Sequence, residues 1–384
     1  MKVLVLYQDI NSGSKVATEA ILTFLKKASS EVTFVIYKQA PQKYSGRFSF
    51  LRNLIWSIID FRRVIHQTTE IDLIYTAMYT SVIGYKLGGV KIPLILHLHG
   101  DQSFYPVAEG WHHLTLKYLY SSVLGKVVII LQSWAIIKAD HVIFVSKTAR
   151  QQFLRTYSLD RYLPKTSVVS NGVSTDLFYP VTKKIKQKLQ QKYLQHTAKV
   201  ILYVGRIDEK KGIHQLIEAY SEVSVKNVHL VIAYTSCSDD FSKSYLKCLK
   251  LLSSSSSQKV TYIENPKRLH EIYQLADCVV LPSKQEMLPL VMLESLASGI
   301  PFITTRVGGI PEILTGKLKA YLISDFAVLS LKIKIESILK LPIQHRQYLI
   351  NDGLKVAHSL NWEQSTARVM QLFSKLTQRQ SHYR

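Results

Sequence analysis

The stretch EMLPLVMLE, residues 286–294, sets two carboxylates at the ends of seven uncharged residues. Pro289 suits the first turn of a helix, where its missing N–H costs nothing. The run LVMLESLASG then carries a helical apolar pattern to Gly299, with Pro301 beyond it. Glu286 therefore stands just ahead of a helix N-terminus, and Glu294 about one turn inside the helix. The first amides of a helix lack internal partners, and such an end favours a nearby anion by about 0.3–1 kcal/mol. The chemistry on offer is a diphosphate on those amides, with two acids accepting hydrogen bonds from sugar hydroxyls around it. The plainer alternative makes Glu286 a support for the helix start and Glu294 an ordinary exposed acid.

Three further stretches carry polar groups of the same kind. In YVGRIDEKKGI (203–213) a strand ends at Gly205, and Arg206 and Lys211 follow in the loop before a helix. Arginine holds phosphate through paired hydrogen bonds and lysine through a point charge; otherwise these are solvated loop charges. In RVGGIPEIL (306–314), Gly308 and Gly309 precede another helix and either leave amides facing a ligand or make a tight turn. In LHLHGDQSF, His97 and His99 share one face of a strand end, closed by Gly100. No third ligand is placed for zinc, which leaves a substrate-contacting His99 or a structural one. DINSGSK (9–15) has a single glycine, Gly13, and is far from the GxGxxG of nicotinamide binding.

These stretches all follow short apolar runs. Such runs recur at 2–7, 32–37, 72–76, 93–99, 141–146 and 166–170, and again at 199–205, 228–234, 259–264, 277–283, 301–305 and 320–324. Runs without polar alternation suit parallel strands buried on both faces, and the helix-length spacers imply right-handed crossovers. The expectation is an α/β chain of two doubly wound, Rossmann-like domains, with ligands beyond the carboxyl ends of the strands, in a cleft between the domains. The domains expected are 1–175 and 176–361. A C-terminal helix, 362–384, would then be free to pack back on the first.

Composition bounds the rest. The chain has 384 residues, enough for two domains, and its net charge of +22 is spread over both halves. Such a balance attracts anions in general. No nucleic-acid-binding motif accompanies it, so no nucleic-acid partner is expected. Three cysteines without CxxC or zinc spacing point to a reducing, cytoplasmic compartment. No segment reaches the roughly 18 apolar residues of a membrane span; the closest, 127–137, is bracketed by Lys126 and Lys138 and reads as a buried helix or an in-plane membrane contact. Residues 43–64 hold five basic residues against Asp60, interleaved with Tyr44, Phe48, Phe50, Trp56 and Phe61. That mixture suits an anionic membrane surface on the cytoplasmic face, or else a core helix with a solvated basic side.

With these residues assembled, the chain resembles the group 1, family 4 glycosyltransferases of the GT-B fold. LPSKQEMLPLVMLESLASGIPFITTRVGGIPEIL (281–314) is similar to that family's signature, including its pair of glutamates separated by seven residues. VGRIDEKKGIHQLIEAY (204–220) looks like its phosphate-binding loop. VIFVSKTARQQF, VVSNGVSTDLFYP and HLHG are weaker matches in the expected order. The resemblance implies a metal-independent, cofactor-free hexosyltransferase that acts with retention. The donor would be a nucleotide sugar, UDP- or GDP-linked, and the acceptor a glycan or a lipid-linked molecule. On this pattern Glu294 binds ribose hydroxyls, Glu286 contacts the donor sugar, and Arg206 and Lys211 hold the diphosphate. Met287, Leu288, Leu290, Gly308 and Gly309 border the donor. His99 faces the acceptor and reacting carbon, with Gly13 and Gly100 on the acceptor side. Three positions depart from the pattern. Met287 stands where glycine is usual, Gly13 alone replaces paired glycines, and Glu264 replaces a glycine near the base. An epimerase or hydrolase of similar fold, or an inactive nucleotide-sugar-binding copy, are the alternatives.

Overall fold

The computed structural model describes residues 1–8, 13–29, 31–39, 49–87, 89, 91–99, 116–237, 240–254 and 258–381. Twelve strands form from the apolar runs. The first six are β1 (Lys2–Gln8), β2 (Thr33–Gln39), β3 (Leu73–Thr76), β4 (Leu94–Leu98), β5 (His141–Phe144) and β6 (Thr166–Val168). The second six are β7 (Lys199–Gly205), β8 (Val228–Tyr234), β9 (Lys259–Glu264), β10 (Cys278–Leu281), β11 (Phe302–Thr305) and β12 (Leu322–Ile323). They make two six-stranded sheets, ordered β2-β1-β3-β4-β5-β6 and β12-β11-β10-β7-β8-β9. Neighbouring strands run parallel throughout. Helices join successive strands, so the central ones are covered on both faces. Val3–Leu6, all of β10 up to Val280, and Val200–Tyr203 are fully buried. That double burial is why these strands are apolar at every position rather than at alternate ones.

The chain divides into two compact units, Met1–Asn171 with Trp362–Arg384, and Gly172–Asn361. In the second, the chain starts at β7, runs outward to β9 and returns to β10 on the other side of β7. The strand order therefore reverses between β7 and β10, and the connections leaving these two strands diverge and open a crevice at their carboxyl ends. In the first unit the corresponding reversal lies between β1 and β3.

The first unit is completed from the far end of the sequence. Helix Trp362–Ser381 packs against helix Gly13–Ala28. Its Val369 and Phe373 are fully buried, with the Phe373 ring edge-on to Tyr75 at 5.5 Å, and Ser365 Oγ donates to the Ser170 carbonyl at 2.7 Å.

Helix Ser49–Gln67 shows which part of the basic, aromatic segment is exposed. Its buried side carries Leu54, Ser57, Asp60, Phe61 and Ile65. Asp60 accepts from Tyr37 Oη (2.6 Å) and Gln39 Nε2 (3.0 Å) and pairs with Arg63 at 2.6 Å, so this buried acid is fully partnered. Phe61 is thus a core residue and is not available to a lipid surface, because it shares a helical face with Leu54 and Ile65. Trp56 is half-buried, and Tyr44 and Phe48 lie outside the described residues. The exposed side carries Arg52, Ile55, Ile59, Arg62 and Arg63. In helix Leu116–Lys138, Ala135 and Ile136 are buried while Ile130 is 65% exposed, so only one side of the 127–137 run faces the core. Among the described residues no helix is long and apolar enough to cross a membrane.

Replacing Phe373 by Ala is expected to cost about 3–5 kcal/mol of stability, the range for emptying a buried phenylalanine site. Urea unfolding monitored by circular dichroism measures it; a loss below about 1 kcal/mol would show that the terminal helix does not complete this core.

Candidate active site

Three loops of the second unit, leaving β7, β10 and β11, are joined by backbone hydrogen bonds. After β7, Tyr203 Oη donates to the Arg206 carbonyl at 2.7 Å, and Asp208 accepts from the Lys210 amide at 3.0 Å, capping the single turn Glu209–Lys211. Gly212 closes that turn with φ +70° and begins helix Ile213–Ser221. A β-carbon there would stand 2.2 Å from the Pro282 carbonyl oxygen, so only glycine lets the two loops approach. Across the gap, the Lys284 amide donates to the Lys210 carbonyl at 2.7 Å. After β11, Thr305 Oγ1 donates to the Ser283 carbonyl, and the Gly309 amide donates to the Met287 carbonyl at 2.7 Å. Gly308, at φ +54°, is held so close that an added β-carbon would lie 1.8 Å from the Glu286 carbonyl oxygen. The pair therefore fixes the 286–288 loop. Of the two readings of this glycine pair, the tight turn holds at Gly309, whose N–H is spent on Met287.

The side chains on this platform differ sharply in environment. Lys211 Nζ contacts Glu286 Oε1 at 2.6 Å, and the two side chains are only 19% and 10% exposed. Arg206 is 59% exposed and pairs loosely with Asp208 at 3.3 Å, which leaves its guanidinium on a movable arm. Helix Leu290–Ala297 begins after Pro289, which is its N-cap rather than a first-turn residue, and no side chain caps it. Met287 and Leu288 are buried and Leu290 is half-buried. Glu294 is half-buried and accepts from Tyr273 Oη at 2.6 Å. Burial of its carboxyl pushes its pKa up to about 7, against the lowering effect of the Tyr273 hydrogen bond. Tyr273 is itself buried and packs edge-on against Phe178 at 5.5 Å. Gly205, Tyr234 and Glu264 lie in register at the ends of β7, β8 and β9, with Tyr234 Oη donating to Glu264 Oε2 at 3.4 Å.

The histidines belong to the first unit. The His97 and His99 rings lie face to face, 3.9 Å between centroids and 31° apart in plane. Burial lowers the pKa of His99 to about 4 and that of His97 well below the usual imidazole range. Both are neutral at pH 7. No group of three metal-ligating side chains exists among the described residues. Gly13 opens helix Gly13–Ala28 with no atom near its missing β-carbon, so no steric demand for glycine exists there. Gly100 lies outside the described residues.

Residues 184–356 match the family model for glycosyl transferases group 1, and residues 15–177 match the model for glycosyltransferase family 4. The chain belongs to the group 1 glycosyltransferases. Its two Rossmann-like units are those of the GT-B fold. The sucrose-phosphate synthase of Thermosynechococcus elongatus aligns with a TM-score of 0.80 at 20% identity, over 98% of each chain. Anabaena HepE in complex with UDP-glucose aligns with a TM-score of 0.72 at 18% identity, over 98% of this chain and 100% of that one. Among curated relatives, the spore coat protein SA of Bacillus subtilis is 28% identical over 172 residues, 42% of this chain. The match spans about half of that relative's length, 46%.

For this glycosyltransferase, the structure gathers Arg206, Lys211, Glu286, Met287, Leu288, Leu290, Glu294, Gly308 and Gly309 into one unit around the β7–β10 reversal. His99 is held in the other unit. Sequence inspection passed over Tyr273, which orients Glu294 from 21 residues away and carries no local signal. It also passed over Asp208, whose position directly ahead of the turn it caps is a recognisable signal.

Glu294 makes stability depend on pH. Its folded pKa of about 7 lies above the ordinary carboxylate range near 4.3. Between those values the folded chain keeps a proton that the unfolded chain has lost. Its contribution is fully present below about pH 4, falls as the pH rises to about 7, and is constant above that. Unfolding free energies from pH 4 to pH 8 are expected to fall more steeply for the native protein than for Glu294→Gln; parallel curves would refute a raised pKa.

Proposed function

We propose that the chain transfers a hexosyl unit, with retention at the anomeric carbon, from a UDP- or GDP-linked sugar to a glycan or lipid-linked acceptor, with no metal ion or cofactor in the step. The observation that carries this reading is the gathering of Lys211, Arg206, Glu286 and Glu294 at the point where the second sheet reverses its strand order. When the bond between the anomeric carbon and the diphosphate oxygen breaks, negative charge grows on the departing nucleotide. Lys211, Arg206 and the first amides of helix Leu290–Ala297 are suited to hold that charge, and Lys211, already oriented by Glu286, does so with little reorganisation. Glu286 has a second carboxylate oxygen beyond its bond to Lys211 and takes donor-sugar hydroxyls. Glu294 takes the ribose hydroxyls; their donated bonds favour its ionised form and draw its pKa down on binding. Met287, Leu288, Leu290, Gly308 and Gly309 border the donor, and His99, with Gly13 and Gly100, is assigned to the acceptor side. The UDP-glucose bound by Anabaena HepE, a protein of the same fold, supports the choice of donor class.

The exposed side of helix Ser49–Gln67, with Arg52, Arg62 and Arg63 around Ile55 and Ile59, supports peripheral attachment to an anionic membrane. Cations that meet lipid phosphates and two side chains that enter the acyl boundary act together at such a surface. It also suits a lipid-linked acceptor.

A thermal-shift series with UDP, GDP, ADP and their hexose conjugates tests the donor site. Saturation at 100 times Kd stabilises the folded state by about 2.7 kcal/mol. Arg206→Ala, at an exposed position, is expected to weaken binding at least tenfold, leaving about 1.4 kcal/mol or less at the same concentration. Lys211→Ala is expected to abolish the shift and to lower intrinsic stability, because it strands the Glu286 charge. An unchanged shift in both variants removes this loop from the diphosphate site. Incubation with the stabilising nucleotide sugar then separates transfer to an acceptor from release of epimerised or free sugar. Independently, co-sedimentation with vesicles containing phosphatidylserine is expected to fall with added salt and to drop severalfold in an Ile55→Ser, Ile59→Ser variant; binding equal to that of neutral vesicles ends the membrane proposal.

A further inference from the structure

The first unit holds two neutral imidazoles whose outer nitrogens have no partner among the described residues. His97 Nε2 and His99 Nε2 are both buried without a hydrogen bond, although each ring makes a short contact through Nδ1. Tyr75 Oη lies 2.6 Å from His97 Nδ1, and Asn171 Oδ1 lies 3.1 Å from His99 Nδ1. A buried imidazole nitrogen left unmatched is costly, and two of them side by side point to a ligand that supplies the missing bonds.

The partners decide which nitrogen of each ring carries the proton. The Tyr75 hydroxyl is fully buried and has no hydrogen-bond partner besides His97 among the described residues. Its proton has one place to go, so it donates to His97 Nδ1, and the His97 proton sits on Nε2. Asn171 presents its carbonyl oxygen, which only accepts, so His99 Nδ1 must carry the hydrogen and His99 Nε2 keeps its lone pair. The strand spacing of His97 and His99 stacks the two rings at 3.9 Å, which sets a donor beside an acceptor.

We propose that Tyr75 and Asn171 are positioning residues that lock His97 and His99 in opposite neutral tautomers, so that an N–H and a bare nitrogen stand side by side as a paired site for sugar hydroxyls. A hydroxyl both donates and accepts. The pair matches it in both senses, whereas two imidazoles of the same tautomer match it in one. The link to sugar rests on the proposed glycosyltransferase reaction; the tautomer assignment does not. The proposal gives His97, Tyr75 and Asn171 tasks that are separate from the donor site of the second unit.

Two-bond proton–nitrogen correlation spectra of the full chain labelled with 15N-histidine test it, with the rings assigned through His97→Gln and His99→Gln. The expected pattern is a protonated Nδ1 and bare Nε2 for His99, and the reverse for His97. Tyr75→Phe, which removes one oxygen and keeps the ring, is expected to release only the His97 tautomer. Asn171→Ala is expected to release that of His99, and Asn171→Asp to retain it. Addition of glucose, as a probe sugar, is expected to move the Nε2 resonances of both rings. Matching tautomers in the two rings, or an unaltered His99 pattern in Asn171→Ala, overturns the assignment. Nε2 resonances that do not move, while UDP-glucose still raises the melting temperature, overturn the hydroxyl role and leave the donor site standing. In transfer assays, Asn171→Ala is expected to lower kcat by about tenfold or more with KM for UDP-glucose within about twofold, and Asn171→Asp to recover most of it; equal losses in both variants would mark Asn171 as structural.

Discussion

A lysine and a glutamate shielded from water must be held in one geometry or not at all. Removing either charge from solvent costs several kcal/mol, and attraction offsets that only when the two stay in contact. The 2.6 Å pair between Lys211 and Glu286 therefore obliges two loops, 75 residues apart in sequence, to keep a fixed spacing. Much of the backbone around them serves that requirement. Asp208 ties the turn that carries Lys211, the Lys284 amide reaches the Lys210 carbonyl, and Gly308 and Gly309 pack under Glu286 and Met287. A diphosphate arriving here meets a cation that is already oriented, so little ordering entropy is lost on binding.

The same crevice treats its two acids differently. Glu286 faces an ammonium, whereas Glu294 faces a phenol and apolar surroundings, so its ionisation is opposed by burial. A carboxyl poised near neutrality is one whose charge a ligand can switch: hydroxyls that donate to it favour the ion, and without them the proton stays. The stacked imidazoles of the first unit rest on a related economy. Their burial keeps them uncharged, and a tyrosine and an asparagine determine where each remaining proton sits.

Local chemistry explains which expectations translate directly into structure. Each of the twelve short apolar runs became a strand, since strands covered on both faces leave no polar alternation to obscure them. The glutamate pair and the loop after β7 were visible as residue types placed just beyond strand ends. The segment that holds Phe61 stayed open between a membrane surface and a core helix because composition cannot say which side of a helix a residue occupies; Leu54 and Ile65 share the face of Phe61 and take it inward. Gly309 stayed open between a ligand-facing amide and a tight turn because a glycine's amide can be spent on a neighbouring loop as readily as on a ligand.

What the sequence determined by itself was the number and order of strands, the crossovers between them, and the acids, cations and glycines set at their ends. These depend on hydrophobic pattern and on residues adjacent in the chain. Only the tertiary structure decided that Lys211 would be neutralised by Glu286, that Tyr273 would grip Glu294, that Asn171 would reach His99, and that a helix beginning at Trp362 would complete the first unit. Each of those joins groups between 21 and 298 residues apart. Burial then alters the ionisation of Glu294 and His99, and burial belongs to the packed chain and not to any segment of it.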